Sequence, residues 1–321
     1  MVEDGYSTLL KKWNAFTPGP IVPVNADTAF PIYMHRLDQV QSWADGNKYY
    51  KLKYTLHEAI HSGITHLVSK GGMFSNHLAA LAAACAAFGL KCTAVIRSYT
   101  SDEQNPSIQQ LRHLGCEVLY LNPEQYKAFD GLACEKAFPD ALFIPEGGLS
   151  VSGIRGTAEI SSEWDIPGLT HVVVPAGTMG TAAGILSTTP AHIHVIIVPS
   201  WKGCSTSYVS DILSQYDIHP ACTWEVWADY HFGGFGKFTP ALPVFMTSFF
   251  KTSGLALDPV YTGKMMFAVE DRMRQGYFAG SDRILALHTG GHQGIAGFRY
   301  RYPDVWTAYA DLVNAQHALP R

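Results

Sequence analysis

Three lysines follow a glycine turn near the amino terminus, in the run Gly46–Asn47–Lys48–Tyr49–Tyr50–Lys51–Leu52–Lys53. A lysine that is fixed and kept out of bulk water can lose its proton and attack a carbonyl group. The spacing predicts that Lys51 and Lys53 are rotated away from Lys48 on a helix, so that one of the three faces a given pocket. We assign Lys48, which directly follows the Gly–Asn pair; three solvated helix lysines are the alternative.

A second stretch, Ser69 to His77, runs from an apolar strand through two glycines into Ser75 and Asn76. A helix that begins there has exposed N–H groups, which can hold a substrate carboxylate. An ordinary N-cap role for Ser75 is the alternative, and the two roles are compatible. We expect His77 to contribute its backbone N–H at the start of this helix.

A third stretch carries the β-branched run Val172–Val174 into a loop formed by Gly177, Thr178, Met179, Gly180 and Thr181. Free N–H groups and the positive end of a helix dipole would meet there, which suits a phosphate. The loop lacks the Gly-Lys-Ser/Thr ending of a nucleotide P-loop and the GxGxxG spacing of a dinucleotide fold. A single phosphate monoester fits best, and together with the lysine and the serine turn it indicates pyridoxal 5′-phosphate as cofactor.

Two segments carry a family resemblance: the run GNKYYKLKYTLHEAIHSGITHLVSKGGMFSNHLAALAAACAAFGLKC, which begins at Gly46, and DPVYTGK, from Asp258 to Lys264. They resemble the 1-aminocyclopropane-1-carboxylate deaminase and D-cysteine desulfhydrase family, a branch of the tryptophan-synthase-β-like (fold type II) pyridoxal-phosphate enzymes. The likeness is dense over 46–96 and local around 172–184 and 258–264. It implies that Lys48 binds the cofactor, that Ser75 lies at the substrate and that Asn76 lies near the cofactor's ring hydroxyl.

The same resemblance makes Tyr261 an active-site tyrosine close to substrate and Thr262 the partner of the pyridine nitrogen; a core tyrosine is the alternative for Tyr261. A hydroxyl cannot firmly protonate that nitrogen, so we expect weaker electron withdrawal than with a carboxylate, which elimination of a good leaving group tolerates. Relatives carry a further tyrosine in a loop that corresponds to residues 230–237, where this sequence has Phe235 or Lys237 near that place.

Composition indicates a globular enzyme that acts on small molecules. The 321 residues exceed the usual size of one domain, 47% are hydrophobic, and the formal net charge of −4 offers no footprint for nucleic acid or an anionic membrane. The fourteen histidines include one HxH pair, His192 and His194, and one HExxH run, His57–His61; we nevertheless expect no metal, and GxSxG is absent.

Several features predict a cytoplasmic protein. The six cysteines lie singly, without CxxC pairs, and we expect them to be reduced and buried. Residues 1–16 contain acids and lysines where a secretory signal needs an apolar core. The apolar stretch 78–90 is too short for a membrane span of about 20 residues.

Repeated alternation of strand and helix predicts an α/β fold with parallel sheets wrapped by helices. The predicted helices include residues 123–138 and 151–164. We expect a small domain at residues 51–147 inserted into a large cofactor-binding domain formed by 1–50 and 148–321. The resemblance adds two open twisted sheets, the cofactor in the cleft between them, and a homodimer.

The function expected is a pyridoxal-phosphate lyase of the D-cysteine desulfhydrase type, which releases pyruvate, ammonia and sulfide from a small amino acid. A cyclopropane-opening deaminase on the same scaffold is the nearest alternative. A non-catalytic protein that binds a phosphorylated metabolite is the alternative of another class, and it would leave Lys48 without a role.

Overall fold

The computed structural model describes residues 11, 16–24, 31–40, 43–44 and 46–317. Ten strands are assigned within these ranges: β1 (Ile21–Pro23), β2 (Ile32–Arg36), β3 (His66–Gly71), β4 (Lys91–Arg97), β5 (Glu117–Leu121), β6 (Ala141–Ile144), β7 (His171–Ala176), β8 (His194–Pro199), β9 (Thr223–Val226) and β10 (Ile284–His288). They form a six-stranded sheet in the order β1-β2-β10-β7-β8-β9 and a four-stranded sheet in the order β5-β4-β3-β6.

Both sheets are parallel apart from β1, which pairs antiparallel with β2. Twelve helices lie among the described residues: α1 (Asn47–His61), α2 (Asn76–Phe88), α3 (Pro106–His113), α4 (Pro123–Ala128), α5 (Gly131–Ala137), α6 (Val151–Ala158), α7 (Gly180–Thr188), α8 (Thr206–Gln215), α9 (Ala241–Ser253), α10 (Thr262–Arg274), α11 (Gln293–Arg301) and α12 (Pro303–His317). The predicted fold class, two parallel-sheet α/β domains flanked by helices, is confirmed.

The central strands are buried along almost their whole length, as parallel strands covered on both faces require. Strand β10 has no exposed position, and β7 and β8 are each buried after their first residue. Their side chains supply much of two hydrophobic clusters that hold the large sheet between its helices. This rigid sheet fixes the loops that leave its carboxyl edge.

Helix α1 joins the lysine segment to the large sheet's helices. A Cβ placed on Gly156 of α6 would lie only 1.8 Å from the carbonyl oxygen of Tyr50, so the two backbones touch. The hydroxyl of Tyr50 donates to Glu163 at 2.7 Å, which holds the helices together. The expected domain boundary at 50/51 falls inside α1, and the division of the chain at 51 and 147 stays a prediction.

Two helical stretches are shorter than predicted. The helix expected over 123–138 is divided into α4 and α5, because the side chain of Asp130 accepts from the N–H of Ala133 and starts a new helix. The helix expected over 151–164 ends at Ala158 and continues as a 3₁₀ segment, Glu159–Glu163. All six cysteines are free and buried, as predicted. No helix within the described ranges is long and apolar enough to cross a bilayer.

Candidate active site

A cavity of about 580 Å³ opens where strands of both sheets end. Its wall includes Arg97 at the end of β4, Ala176 at the end of β7, and the Gly72–His77 segment after β3. Carboxyl ends of parallel strands are where open α/β sheets bind their ligands, because the connecting loops diverge there.

The cavity gathers most of the residues predicted from sequence. Those that line it are Lys48, Ser75, Asn76, His77, Gly177, Thr178, Met179, Thr181 and Tyr261. Gly180 and Thr262 do not line the cavity, and Thr262 is fully buried. Segments more than 200 residues apart in sequence therefore meet around one space, and the catalytic and binding roles assigned to them stay predictions.

Lys48 is joined to the threonine loop by a chain of side-chain hydrogen bonds. Its Nζ donates to Asn47 Oδ1 at 2.8 Å, and Asn47 Nδ2 donates to Thr181 Oγ1 at 2.7 Å. Gly46 permits this turn, because its φ is +65° and a Cβ there would lie 2.3 Å from the carbonyl oxygen of Thr289. The lysine is thus held at a defined distance from the loop at 177–181.

Lys51 also lines the cavity, so the prediction that one lysine alone faces the pocket is wrong. Residues three apart on a helix lie on the same face, about 60° from each other, and Lys48 and Lys51 are such a pair. Lys51 is 4% exposed, and its Nζ donates to the carbonyl oxygen of Gly147 at 2.8 Å. Burial, and then the nearby charge of Lys48, lower the pKa of Lys51 well below its usual value.

The loop before α7 is shaped to expose backbone N–H groups. Met179 has a left-handed φ of 68° and provides no side-chain cap, so the first N–H groups of α7 have no partner within the helix. A Cβ on Gly177 would lie 3.0 Å from the ring of Tyr261, and a Cβ on Gly180 would lie 3.2 Å from Lys51 Nζ. Glycine at both positions therefore lets the tyrosine and the lysine approach the loop.

Ser75 and Asn76 begin helix α2 as predicted. Ser75 is the N-cap and accepts from the N–H of Leu78 at 3.3 Å, while it also lines the cavity. Asn76 accepts from Gln293 Nε2 at 3.0 Å. That contact bridges α2 to α11 and so joins the small-sheet wall of the cavity to the large-sheet wall.

The side chain of His77 is buried and hydrogen-bonded, so its part in the structure goes beyond the backbone N–H that was expected. Ser69 Oγ donates to the carbonyl oxygen of Ile144 at 2.7 Å, so it accepts from His77 Nε2 at 3.0 Å. This leaves His77 Nδ1 unprotonated, without a hydrogen-bond partner among the described residues. Burial, together with the charges of Lys48 and Lys51, lowers the pKa of His77 well below its usual value, so the ring is neutral.

Thr262 is engaged by the turn that begins α10. Its hydroxyl donates to Asp258 Oδ2 at 2.8 Å and accepts from the Asp258 N–H at 2.7 Å. The other carboxylate oxygen of Asp258 accepts from the N–H groups of Val260 and Tyr261. To donate to a pyridine nitrogen, the Thr262 hydroxyl would have to turn away from Asp258, and that role stays a prediction.

Phe235, not Lys237, lines the cavity in the loop where relatives are expected to carry a tyrosine. Its ring meets Tyr261 edge to face at a centroid distance of 6.2 Å. Burial, and to a lesser degree the carboxylates of Asp258 and Glu146, raise the pKa of Tyr261, so its hydroxyl stays protonated. The two rings form an aromatic wall at one end of the cavity.

A group of three potential metal ligands lies outside this cavity, formed by Asp38, His288 and His292. The guanidinium of Arg36 donates to both carboxylate oxygens of Asp38, at 2.8 and 2.6 Å. Burial alone would raise the pKa of Asp38, but His288 and Arg36 outweigh it and hold that pKa low. The Arg36 guanidinium already neutralises the Asp38 carboxylate, so we interpret the group as a buried ionic network next to the end of β10.

The residues fit pyridoxal phosphate at three points: the N–H groups of the 177–181 loop, Lys51 and Lys48. Lys51 Nζ has donors beyond the one used on Gly147, and it lies against the loop whose N–H groups are exposed. Lys48 and Lys51 place two amines in one cavity, one near the loop and one tied to Asn47. A phosphate on the loop would supply the opposite charge that a buried, partly desolvated lysine lacks.

Comparison with known proteins agrees with this fit. The family model "Pyridoxal-phosphate dependent enzyme" matches residues 36–290. A D-cysteine desulfhydrase of Salmonella choleraesuis is 29% identical over 286 residues, with 81% of this chain and 86% of the relative covered. A Thermotoga maritima protein, provisionally named 1-aminocyclopropane-1-carboxylate deaminase, is 27% identical over 286 residues, with 83% and 90% covered.

Solved structures show the same fold. A homologue of 1-aminocyclopropane-1-carboxylate deaminase superposes with a TM-score of 0.75 at 22% identity, covering 94% of this chain and 98% of the other. Threonine deaminase isoform 2 from Solanum lycopersicum gives a TM-score of 0.64 at 14% identity, covering 90% and 84%. Because the family model spans most of the sequence, and the lysine, the serine turn and the threonine loop meet in one cavity, the chain belongs to the pyridoxal-phosphate-dependent enzymes.

Proposed function

We propose that this enzyme catalyses α,β-elimination on a small amino acid, with D-cysteine or a close β-substituted analogue as substrate. The overall reaction consumes one water and releases pyruvate, ammonia and sulfide. The relatives named D-cysteine desulfhydrase support this assignment, as does the gathering of a lysine, a helix N-terminus and a phosphate-type loop around one cavity.

Each wall of the cavity has a separate task in this proposal. Pyridoxal phosphate, when bound, supplies an electron-withdrawing ring that stabilises negative charge at the α-carbon of the amino acid joined to it. The 177–181 loop and Lys51 hold the phosphate, and Lys48 Nζ holds the cofactor covalently and then accepts the α-proton. The hydroxyl of Ser75 and the N–H groups at the start of α2 orient the substrate carboxylate.

The observation that carries the proposal is the position of Lys48. Its Nζ lies in the same cavity as Ser75 and is tied through Asn47 to Thr181 of the loop. A protein that only bound a phosphorylated metabolite would need the loop but not a lysine held in this way. The non-catalytic alternative therefore explains less of the site.

The experiment is a side-by-side assay of keto-acid release from D-cysteine, L-cysteine, β-chloro-D-alanine and 1-aminocyclopropane-1-carboxylate. We expect the D-configured β-substituted substrates to be fastest. A higher kcat/KM for the cyclopropane would overturn the assignment in favour of the deaminase. If none of the four compounds releases keto acid, both the elimination and the ring-opening assignments are refuted.

Ring opening is the second candidate, because a relative carries that name and the scaffold is the same. It demands more of the cofactor, since electrons must be drawn from an unactivated carbon–carbon bond. A carboxylate beside the pyridine nitrogen would help by stabilising the protonated ring, whereas the residue that we propose as the partner of that nitrogen is Thr262. This difference favours elimination of a thiolate.

The assembly and location proposed are a cytoplasmic homodimer, which rests on the family likeness and on the sequence. Sedimentation velocity of the purified protein tests the dimer. A single species at the mass of one 35.2 kDa chain would refute it.

A further inference from the structure

The loop that carries Phe235 has an unusual backbone. Phe232, Gly233 and Gly234 have φ values of 53°, 92° and 133°, so three successive residues lie at positive φ. Such conformations are unfavourable for the non-glycine residue and persist where the surroundings hold them. Something must therefore stabilise this turn of the chain.

Lys264 on α10 provides that stabilisation. Its Nζ donates to the carbonyl oxygens of Gly234 at 2.7 Å, His231 at 2.9 Å and Ser200 at 3.4 Å. An ammonium has three N–H donors, so these three oxygens satisfy it fully. The side chain is fully buried. Burial lowers the pKa of Lys264 to about 8, and the charge of Asp258 opposes this.

The arrangement links the ammonium to the wall of the cavity. Gly234, which accepts the shortest of the three hydrogen bonds, directly precedes Phe235, whose ring faces the cavity and packs against Tyr261. Tyr261 is itself the N-cap residue of α10. The amino-terminal end of α10 therefore positions both aromatic rings. Tyr261 is attached to it directly, and Phe235 is held through the contact between Lys264 and Gly234.

We propose that Lys264 is a positioning residue whose ammonium acts as an internal cation, ordering residues 231–236 so that Phe235 closes the substrate end of the cavity. The effect on catalysis rests on the proposed function, whereas the ordering of the loop does not. Lys264 touches neither the cavity nor, on this account, the substrate.

The first test is Lys264→Met, which keeps much of the side-chain volume and removes the charge. We expect faster hydrogen exchange in the peptide spanning 229–237, with the exchange of α8 unchanged. We also expect KM to rise by about tenfold, with a smaller change in kcat, below the ~10²-fold that a 1 Å misplacement of a reacting group can cost. Unchanged exchange in 229–237 would overturn the proposal.

A matched control is Lys70→Met. Lys70 Nζ also donates to backbone carbonyl oxygens, those of Tyr126 and Phe129, but in the small-sheet region away from the cavity. We expect it to loosen residues 126–130 and to leave 229–237 protected. Equal loosening of 229–237 in both variants would mean a general loss of stability, and the proposal would fall.

Chemical rescue separates charge from packing. Lys264→Ala lacks a fragment equivalent to n-propylammonium, and propan-1-ol is its neutral analogue. We expect n-propylammonium, but not propan-1-ol, to restore protection of 229–237 and to lower KM. Equal rescue by both would show that the charge does not matter.

If Lys264→Met does not fold, Lys264→Ala purified in the presence of n-propylammonium carries the same comparison after the amine is removed by dialysis. If the wild type releases no keto acid from any substrate, the exchange data still decide whether Lys264 orders the loop. Failure of the proposed function is thereby distinguished from failure of this inference.

Discussion

The two ends of the cavity are built differently. We call residues 46–51 and 177–181 the cofactor end, and residues 230–237 and 300–302 the mouth. At the cofactor end Lys51 and Thr181 are each 4% exposed. The side chains of Lys48, Asn47 and Thr181 are joined there by hydrogen bonds. At the mouth Phe235 and Tyr300 are each 43% exposed. The loop at 231–236 is held there by hydrogen bonds from Lys264 Nζ to its backbone carbonyl oxygens.

The difference suggests a division of labour. In the proposed function, the cofactor end fixes chemistry that many amino-acid substrates could share, because the contacts proposed there are to the phosphate and to the reactive amine. We propose that the mouth, where Phe235 stands in place of an expected tyrosine, decides which substrate is accepted. Substitutions at the cofactor end should therefore lower turnover or cofactor retention for every substrate, and substitutions at the mouth should change the ratio between substrates.

The largest effect is expected for Lys48→Ala. The variant loses both the covalent attachment and the base, and a proton-transfer role alone is worth about 10²–10⁴-fold, so we expect kcat to fall by more than about 10⁴-fold for every substrate. Lys53→Ala is the control, since Lys53 lies on the same helix, pairs with Glu159 and does not line the cavity. Comparable losses in both variants would remove the special role of Lys48.

Ser75→Ala should keep the bound cofactor but slow turnover by about 10²–10⁴-fold if the hydroxyl assists proton transfer. The control is Ser205→Ala, because Ser205 is also an N-cap serine and accepts from the N–H of Tyr208 outside the cavity. Loss of a cap costs about 1 kcal/mol of stability in either case. If both variants retain the wild-type kcat, Ser75 is only a cap.

Lys51→Met should weaken binding of 4′-deoxypyridoxine 5′-phosphate, which carries the phosphate but no aldehyde. A hydrogen bond to a charged group is worth about 1.5–3 kcal/mol, so calorimetry should show about a tenfold to hundredfold higher Kd. The pKa of Lys51 is lowered in the free protein, and a bound phosphate would raise it again.

Binding should therefore take up a proton. In the wild type the affinity should fall as pH rises between the lowered pKa of the free protein and the higher pKa of the complex. Lys51→Met should lose this slope. A variant that keeps both the affinity and the pH dependence would place the phosphate elsewhere.

The smallest effect is expected at the mouth. Phe235→Tyr adds one hydroxyl beside Tyr261, and we expect a change of only a few-fold in kcat/KM for D-cysteine, within the 1–3 kcal/mol that one pocket group is worth. The ratio of kcat/KM for D-cysteine to kcat/KM for 1-aminocyclopropane-1-carboxylate should change more in Phe235→Tyr than in Lys48→Ala or Lys51→Met. An unchanged ratio would break the division between the two ends.

Much of the placement of the cofactor-end residues around one cavity was predictable, because the signals for it are local in sequence. Gly46 and Lys48, the 177–181 loop and the neighbouring Ser75 turn each carry their own turn and helix-start signals, and the strand alternation placed the Ser75 turn and the 177–181 loop at strand ends. Lys51 was misassigned although its three-residue spacing from Lys48 was visible. That spacing brings side chains together on a helix and does not separate them.

The mouth was not predictable for a physical reason. The loop at 231–236 is held by hydrogen bonds from Lys264 Nζ to backbone carbonyl oxygens of the loop. Every residue has the same backbone carbonyl group, so these contacts leave no signal in the sequence of the loop. No residue type in Tyr230 to Lys237 therefore reports which of Phe235 and Lys237 faces the cavity. The strand β9 and the helices α11 and α12, which complete the large-sheet side, were likewise absent from the sequence prediction.

The most direct test of the central claim is to find which lysine holds the cofactor. Borohydride reduction of the holoenzyme fixes the link as a pyridoxyl group, and fragment ions from tandem mass spectrometry distinguish Lys48 from Lys51 within one peptide. We predict the label on Lys48, with Lys51 unmodified. A label on Lys51, or on any lysine outside this cavity, would contradict the account.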